Sequence, residues 1–138
     1  MQSTIDATAF IGEYPFRGFP QTSPAQYRDL TAKYAITGAV VSSFHEVFWE
    51  NNLDAAAATF ASIDGDPFFH HFPVVNPTYP HQLNELADLL EATGARGIRL
   101  LPNYHGYRLW DETLTPLYEM AHQRGLLVQI FRMIQDER

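Results

Sequence analysis

Hydrophobic and polar positions follow two alternating periods along the chain. Stretches of period two predict strands, and stretches with a period near 3.6 predict helices. The first strand is about Thr4 to Ile11, with Ile5, Ala7, Ala9 and Ile11 on one face and Asp6, Thr8 and Phe10 on the other. A loop rich in glycine, proline and aromatics follows, through Gly12 to Pro20. Ser23, Pro24 and Gln26 then spell a helix start: an N-cap, a proline at the first helical position and the far member of a capping box. Tyr27, Leu30 and Tyr34 are expected to form that helix's buried stripe.

The same rhythm continues. Gly38 leads into a short strand, Ala39 to Ser43, and Asn51 or Asn52 caps an alanine-rich helix to about Ile63, broken by Gly65 and Pro67. The third strand is expected over Phe68 to Val75, ended by Asn76-Pro77. A helix after Pro80 carries Leu83, Leu86, Ala87 and Leu90 and stops at Gly94. The fourth strand is about Arg96 to Leu101, followed by the loop Pro102 to Tyr107. Thr115 and Pro116 open the fourth helix, Gly125 closes it, and Leu126 to Phe131 is the fifth strand. The prediction is α/β, with about five parallel strands joined by four helices, because each crossover is long enough for a right-handed β-α-β unit. Two architectures fit: an open doubly wound sheet, or a (β/α)8 barrel cut short, since eight such units take roughly 250 residues. The turn after the first strand, Gly12-Glu13-Tyr14-Pro15, is no glycine cradle for phosphate.

Composition narrows the partners. The chain has 138 residues, 46% of them hydrophobic, enough for one domain with a real core. Nine basic residues stand against 16 acidic ones, a net charge of −7, which argues against nucleic acid and against an anionic membrane surface. The absence of cysteine excludes disulfides, thiolate metal sites and a cysteine nucleophile. No apolar run is long enough to span a bilayer, and Met1-Gln2-Ser3-Thr4 does not open a signal peptide, so a cytoplasmic location is expected.

Four segments, in order, resemble one family. Ile5 to Gly12, Pro73 to Pro77, Gly94 to Tyr107 and Ala121 to Ile130 are similar to the opening strand, third strand, fourth strand with its loop, and the approach to the fifth strand of the amidohydrolase-related barrels. The resemblance implies the N-terminal part of a partial (β/α)8 TIM barrel, one domain over residues 1–138, with hydrolysis as the reaction class. The family's metal-dependent members carry a His-x-His pair on the first strand and a histidine at the end of the fifth. The matching positions here are Thr8, Phe10 and Phe131, none of which supplies an imidazole, so neither metal nor other cofactor is expected.

The candidate chemistry therefore lies elsewhere. His45 and His105 each follow a strand end, where barrels place their sites, and are the candidate general bases. His70, His71, His81 and His122 are expected to be structural or exposed. Arg17 in the first loop, Arg99 in an otherwise apolar strand, Asn76 at the end of the third strand and Tyr107 beside His105 are the candidate substrate-binding residues. Arg99 has an alternative, an ion pair with Asp6 in the barrel floor, and for each histidine packing among loop aromatics competes with catalysis. The loops carry Phe44, Phe48, Trp49, Tyr104, Tyr107 and Trp110, which suggests an apolar pocket or cap. The only sizeable pocket face is expected there, lined by Phe10, His45, Asn76 and His105. The expected ligand is a small, partly apolar carboxylated or carbonyl compound, hydrolysed without a metal. A silent barrel fragment serving ligand binding or assembly is the alternative. Open barrel edges at the first and fifth strands predict a homo-oligomer or another edge-to-edge association.

Overall fold

The computed structural model describes residues 3–16, 22–79 and 81–132. Its strands are β1 (Thr4–Ile11), β2 (Ile36–Ser43), β3 (Phe69–His71), β4 (Val74–Val75), β5 (Gly97–Leu100) and β6 (Leu127–Ile130). Its helices are α1 (Pro24–Ala32), α2 (Phe44–Phe48), α3 (Asn52–Ile63), α4 (Gln82–Thr93), α5 (Pro102–His105) and α6 (Thr115–Arg124), the last preceded by a 3-10 turn at Glu112–Leu114. The strands form two three-stranded sheets, β1-β2-β3 and β4-β5-β6, and every ladder is parallel. No helix among the described residues is long and apolar enough to cross a membrane.

The α/β pattern and the parallel pairing match the sequence reading. The count does not: the described residues hold six strands and six α-helices, where five and four are predicted. Pro73 accounts for the extra strand. It has no N–H to give to a ladder, so the predicted third strand splits into β3 and β4. The pairing changes neighbour at that step. Phe72 N–H still donates to Val41 O of β2 at 3.0 Å, while Pro73 O accepts from Arg99 N–H of β5 at 2.9 Å. The two extra helices are single turns in the loops after β2 and β5. Ser43 caps α2, its Oγ accepting from Glu46 N–H at 3.3 Å while Glu46 Oε1 accepts from Ser43 N–H at 2.8 Å. That Ser-x-x-Glu box was open to view in the sequence.

Helix α1 starts as predicted, with Ser23 Oγ accepting from Gln26 N–H at 3.2 Å. Its buried stripe differs. Tyr27 and Thr31 are buried, one helical turn apart, whereas Leu30 and Tyr34 are 55% and 66% exposed. Helix α1 ends at Ala32, so Tyr34 lies beyond it and cannot continue the stripe.

Strand β1 keeps its predicted bounds but not a clean alternation. Between the pairs Asp6↔Ala39 and Ala9↔Val41 it has one residue more than β2, a bulge. Arg99, on β5 and fully buried, fills this irregularity. Its Nη2 donates to Ala7 O (3.1 Å) and Val40 O (2.7 Å), its Nη1 to Ala9 O (2.7 Å) and Ser42 Oγ (3.0 Å), and its Nε to Gln129 Oε1 (2.7 Å). Gln129 Nε2 returns a bond to Ala7 O at 2.6 Å. One side chain thus ties β5 and β6 to β1 and β2. The ion pair expected between Asp6 and Arg99 does not carry a hydrogen bond: the Asp6 carboxylate is taken by the Tyr27 hydroxyl and by Thr8 N–H (2.8 Å).

The larger apolar core lies between β4, β5, α4 and α6, around Leu86, Leu90, Ile98, Leu100 and Leu117. Each fully buried side chain of that size contributes about 1.5–3 kcal/mol. Gly97 opens β5 because Phe72 packs across it; a Cβ there would come within 2.2 Å of the Phe72 ring. Gly97→Ala is expected to lower stability by about 1–3 kcal/mol, measured by urea denaturation, since the buried ring has little room to retreat.

Candidate functional site

At the ends of β1 and β6, aromatic side chains close round a cavity of about 220 Å³. Phe10, Tyr14, Phe44, Phe48, Tyr104 and Phe131 line it, and among the described residues Arg132 is the charged one in its wall. The rings brace one another: Phe10 stacks on Phe44 (centroids 5.2 Å apart) and meets the edge of Phe131 (5.4 Å), and Phe48 meets Tyr104 at 5.6 Å. Helix α2 supplies Phe44 and Phe48, so the Ser43–Glu46 cap places two of these rings. Arg99 packs against two of them. Its guanidinium lies 4.9 Å from the Phe10 centroid and 5.1 Å from that of Phe131, within cation–π range. Burial pulls the Arg99 pKa down to about 10, against the opposing pull of Glu46, Asp6 and Tyr27, and the group stays charged at neutral pH.

A second buried polar cluster supports the same ends of the strands. Glu46, fully buried, receives Ser43 N–H on Oε1 and Val74 N–H on Oε2 (2.9 Å), with His71 Nε2 at 3.2 and 3.3 Å from its two oxygens. Ser42 links Arg99 to the strand break by donating to Phe72 O at 2.5 Å. Sequence reasoning missed Glu46.

The sequence-predicted residues do not converge. His45 stacks on Trp49 at 4.6 Å and lies beside Gly12, where a Cβ would sit 3.9 Å from its Cε1. His105 is on α5; its Nε2 contacts Val47 O at 3.0 Å. A carbonyl can only accept, so Nε2 carries the proton and Nδ1, buried without a partner, keeps its lone pair. Asn76 is buried and its Oδ1 accepts from Thr78 N–H (3.1 Å) and Thr78 Oγ1 (2.6 Å), an Asx turn that shapes the loop after β4. Tyr107 lines a separate cavity between α4 and α6. Arg99 has all five donors in use, and Arg17 lies outside the described residues. Of the four residues expected to line one pocket, only Phe10 lines the aromatic mouth, and further cavities open on other faces. The side chains of the loop histidines are drawn off by ring stacking and by the Val47 carbonyl.

Comparison with known proteins settles the family. The amidohydrolase family model matches residues 6–136. The chain belongs to the amidohydrolase family. Two solved structures share the fold. A probable 2-pyrone-4,6-dicarboxylic acid hydrolase from Acinetobacter baumannii, solved with citric acid bound, superposes with a TM-score of 0.61 at 18% identity over 94% of this chain. An amidohydrolase from Mycobacterium avium subsp. paratuberculosis does so with a TM-score of 0.53 at 16% identity over 78% of this chain. The chain spans 49% of the first protein's length and 34% of the second's. No curated protein matches it closely enough to count as a relative.

The metal implied by the amidohydrolase family does not fit the donors present. Thr8 is exposed and its hydroxyl is bonded to Asp6, while Phe10 and Phe131 offer ring faces rather than lone pairs. Both rings already cover a guanidinium, whose charge repels a second cation. Among the described residues, no three histidine, aspartate or glutamate side chains converge to hold an ion.

Burial lowers the pKa of His105 from the ordinary 6.5, against the opposing pull of the Val47 carbonyl. The unfolded chain therefore binds the proton more readily, and stability falls as pH drops through the unfolded value. The urea midpoint is expected to decrease between about pH 7.5 and 5.5, and the decrease to be shallower in His105→Gln.

Proposed function

We propose that this chain serves hydrolysis of a small, partly apolar carboxylated or carbonyl compound, bound at the aromatic mouth and attacked without a metal at positions 8, 10 and 131. The observation that carries the reading is the make-up of the mouth: rings for the apolar body and Arg132 for the carboxylate. On this reading the strands are successive staves of a partial (β/α)8 barrel, in which β3 and β4 are one stave bent at Pro73, and residues 1–138 are one domain, the N-terminal portion of that barrel. The passage of the ladder from β2 through Phe72 and Pro73 to β5 supports it. The mouth then lies at the C-terminal ends of the strands, where barrels carry their sites.

The base in this scheme is His105 or His45. His105 is held as the Nε2–H tautomer; for it to serve, Nδ1, buried in the free chain, must be uncovered as substrate binds, and it then takes a proton from water as the water oxygen attacks the carbonyl carbon and returns it to the leaving oxygen. Arg99 acts through its charge and by holding Phe10 and Phe131 in place. Arg17, which lies outside the described residues, and Asn76 are kept as proposed contacts of the carboxylate, and Tyr107 is assigned to the neighbouring cavity.

A second reading, a catalytically silent fold that binds a ligand or a partner, is favoured by one observation: neither histidine lines the mouth. Its partner would meet the outer strands, where Ile5 of β1 is 53% exposed and Leu127 and Ile130 of β6 are 66% and 48% exposed. A second copy pairing along these edges gives the homo-oligomer expected of an open sheet.

The test is an assay on 2-pyrone-4,6-dicarboxylic acid and on carboxylated aryl esters, before and after dialysis against a chelator, with metal content measured on the same sample. Turnover unchanged by chelation, a metal-to-protein ratio far below one, and a kcat loss of about 10²–10⁴-fold in His105→Gln or His45→Gln are expected. Binding without turnover would select the silent reading, and turnover that disappears with a removed stoichiometric metal would defeat the proposal.

A further inference from the structure

Between the loops that follow β4 and β5, beside α4 and α6, lies a cavity of about 520 Å³ that shares no lining residue with the aromatic mouth. Val75, Leu83, Leu117 and the rings of Tyr79 and Tyr107 give it apolar walls, and among the described residues Asp111 is the charged one that lines it. A turn holds Asp111 in place. Its N–H donates to Arg108 O at 3.0 Å, and its Oδ2 accepts from Arg108 N–H at 2.8 Å. The other carboxylate oxygen is open: Asp111 is only partly buried, and Oδ1 takes no hydrogen bond yet is not one of the described side-chain atoms sealed from solvent without a partner. No cation answers the charge. Among the described residues the ion pairs are Arg28–Asp66 and His71–Glu46, and the Arg108 guanidinium lies instead over the Trp110 ring, 5.9 Å from its centroid. Tyr118, whose pKa is raised by burial and then by the Asp111 charge, gives its hydroxyl to Leu109 O at 2.7 Å. A carboxylate on open surface is satisfied by water. This one borders an apolar cavity, where a ligand that displaces the water must bring the opposite charge.

We propose that this cavity binds a small organic cation, a primary ammonium on an apolar body the size of one aromatic ring, with an ammonium N–H donated to Asp111 Oδ1. An ammonium carries three donors and no acceptor, and the exposed hydroxyl of Thr113 in the same wall can accept a second of them. The apolar body displaces water from Val75, Leu83 and Leu117. A bare divalent ion does not fit, because one carboxylate among apolar walls falls far short of the about six to eight oxygens such an ion takes. A neutral analogue strips water from the carboxylate without replacing it by a charge, and an anion meets a charge of its own sign. The chain's net charge of −7 draws cations toward it. The site stands whether or not the mouth is catalytic, since the two have separate walls.

Benzylamine, protonated at neutral pH, is the probe, titrated into isotope-labelled full chain with chemical shifts followed by NMR. Saturable shifts at Val75, Leu83, Asp111, Thr113 and Leu117 are expected, with binding about tenfold weaker for benzyl alcohol and for benzoate. Asp111→Asn removes the charge but keeps the shape and an acceptor for Arg108 N–H. It should weaken benzylamine about tenfold and leave benzyl alcohol within about twofold. If that variant does not fold, the same titrations of the parent chain at rising salt decide the matter: the gap between benzylamine and benzyl alcohol should narrow several-fold as the charge is screened. No saturable shift, equal binding of benzylamine and benzyl alcohol, a gap indifferent to salt, a folded Asp111→Asn chain that binds benzylamine as tightly as the parent, or shifts confined to the aromatic mouth would overturn the proposal.

Discussion

Everything in this fold is arranged around one buried guanidinium. A lone arginine in an apolar interior is costly, because its charge is removed from water and its donors must find new acceptors. Arg99 meets that requirement in full: five N–H groups, five acceptors, and an aromatic ring at contact distance in Phe10 and again in Phe131. Three of the acceptors are backbone carbonyls of β1 and β2, beside the bulge in their ladder. The dependence is mutual. Without the bulge those carbonyls would be less open to a side chain; without Arg99, Ala9 O and Val40 O would each lose a donor, while Ala7 O would keep Gln129 Nε2. Since Arg99 belongs to β5 and Gln129 to β6, the same contacts join the two sheets that Pro73 separates in the third strand.

The mouth inherits its character from this arrangement. At the base of the mouth Phe10 and Phe131 place two rings against Arg99, and the cation they cover is covalently part of the protein. The guanidinium has no donor left to offer a ligand, so among the described residues the mouth is apolar at its base and charged where Arg132 enters the wall. Glu46 contributes from below. It caps α2, holds Val74 N–H and contacts His71, and through α2 it positions Phe44 and Phe48. The aromatic surface is thus anchored at both ends by buried polar groups.

Much of the fold was legible in the sequence. The bounds of β1, the capping box at Ser23, the Asn51 cap and the Gly94 and Gly125 helix ends are local signals, and local chemistry decided them. The strand break was less legible because it depends on which neighbour β3 meets, a tertiary fact, although Pro73 was its visible cause. The short helices were hidden by length: one turn has too few residues for an apolar period, and only the Ser43–Glu46 box announced α2. The site was the least legible part. Arg99 stood out as a charge in an apolar strand, but three of its acceptors are backbone carbonyls more than fifty residues away in sequence, which no residue pattern reports. His45 and His105 were singled out by position after a strand end; their orientation depends on Trp49 and on the Val47 carbonyl, set by packing.

The most direct test of the account is Arg99→Met, which keeps an unbranched apolar stem and deletes every donor. The three carbonyls and Ser42 stay in place, so the substitution leaves acceptors unmet rather than replacing a pair with matched apolar groups. Urea denaturation should show a loss of about 3–5 kcal/mol or an unfolded chain, with intrinsic fluorescence in any folded fraction reporting a disturbed mouth. A folded variant within about 1 kcal/mol of the parent, with its aromatic mouth intact, would contradict the claim that this guanidinium holds the two sheets together.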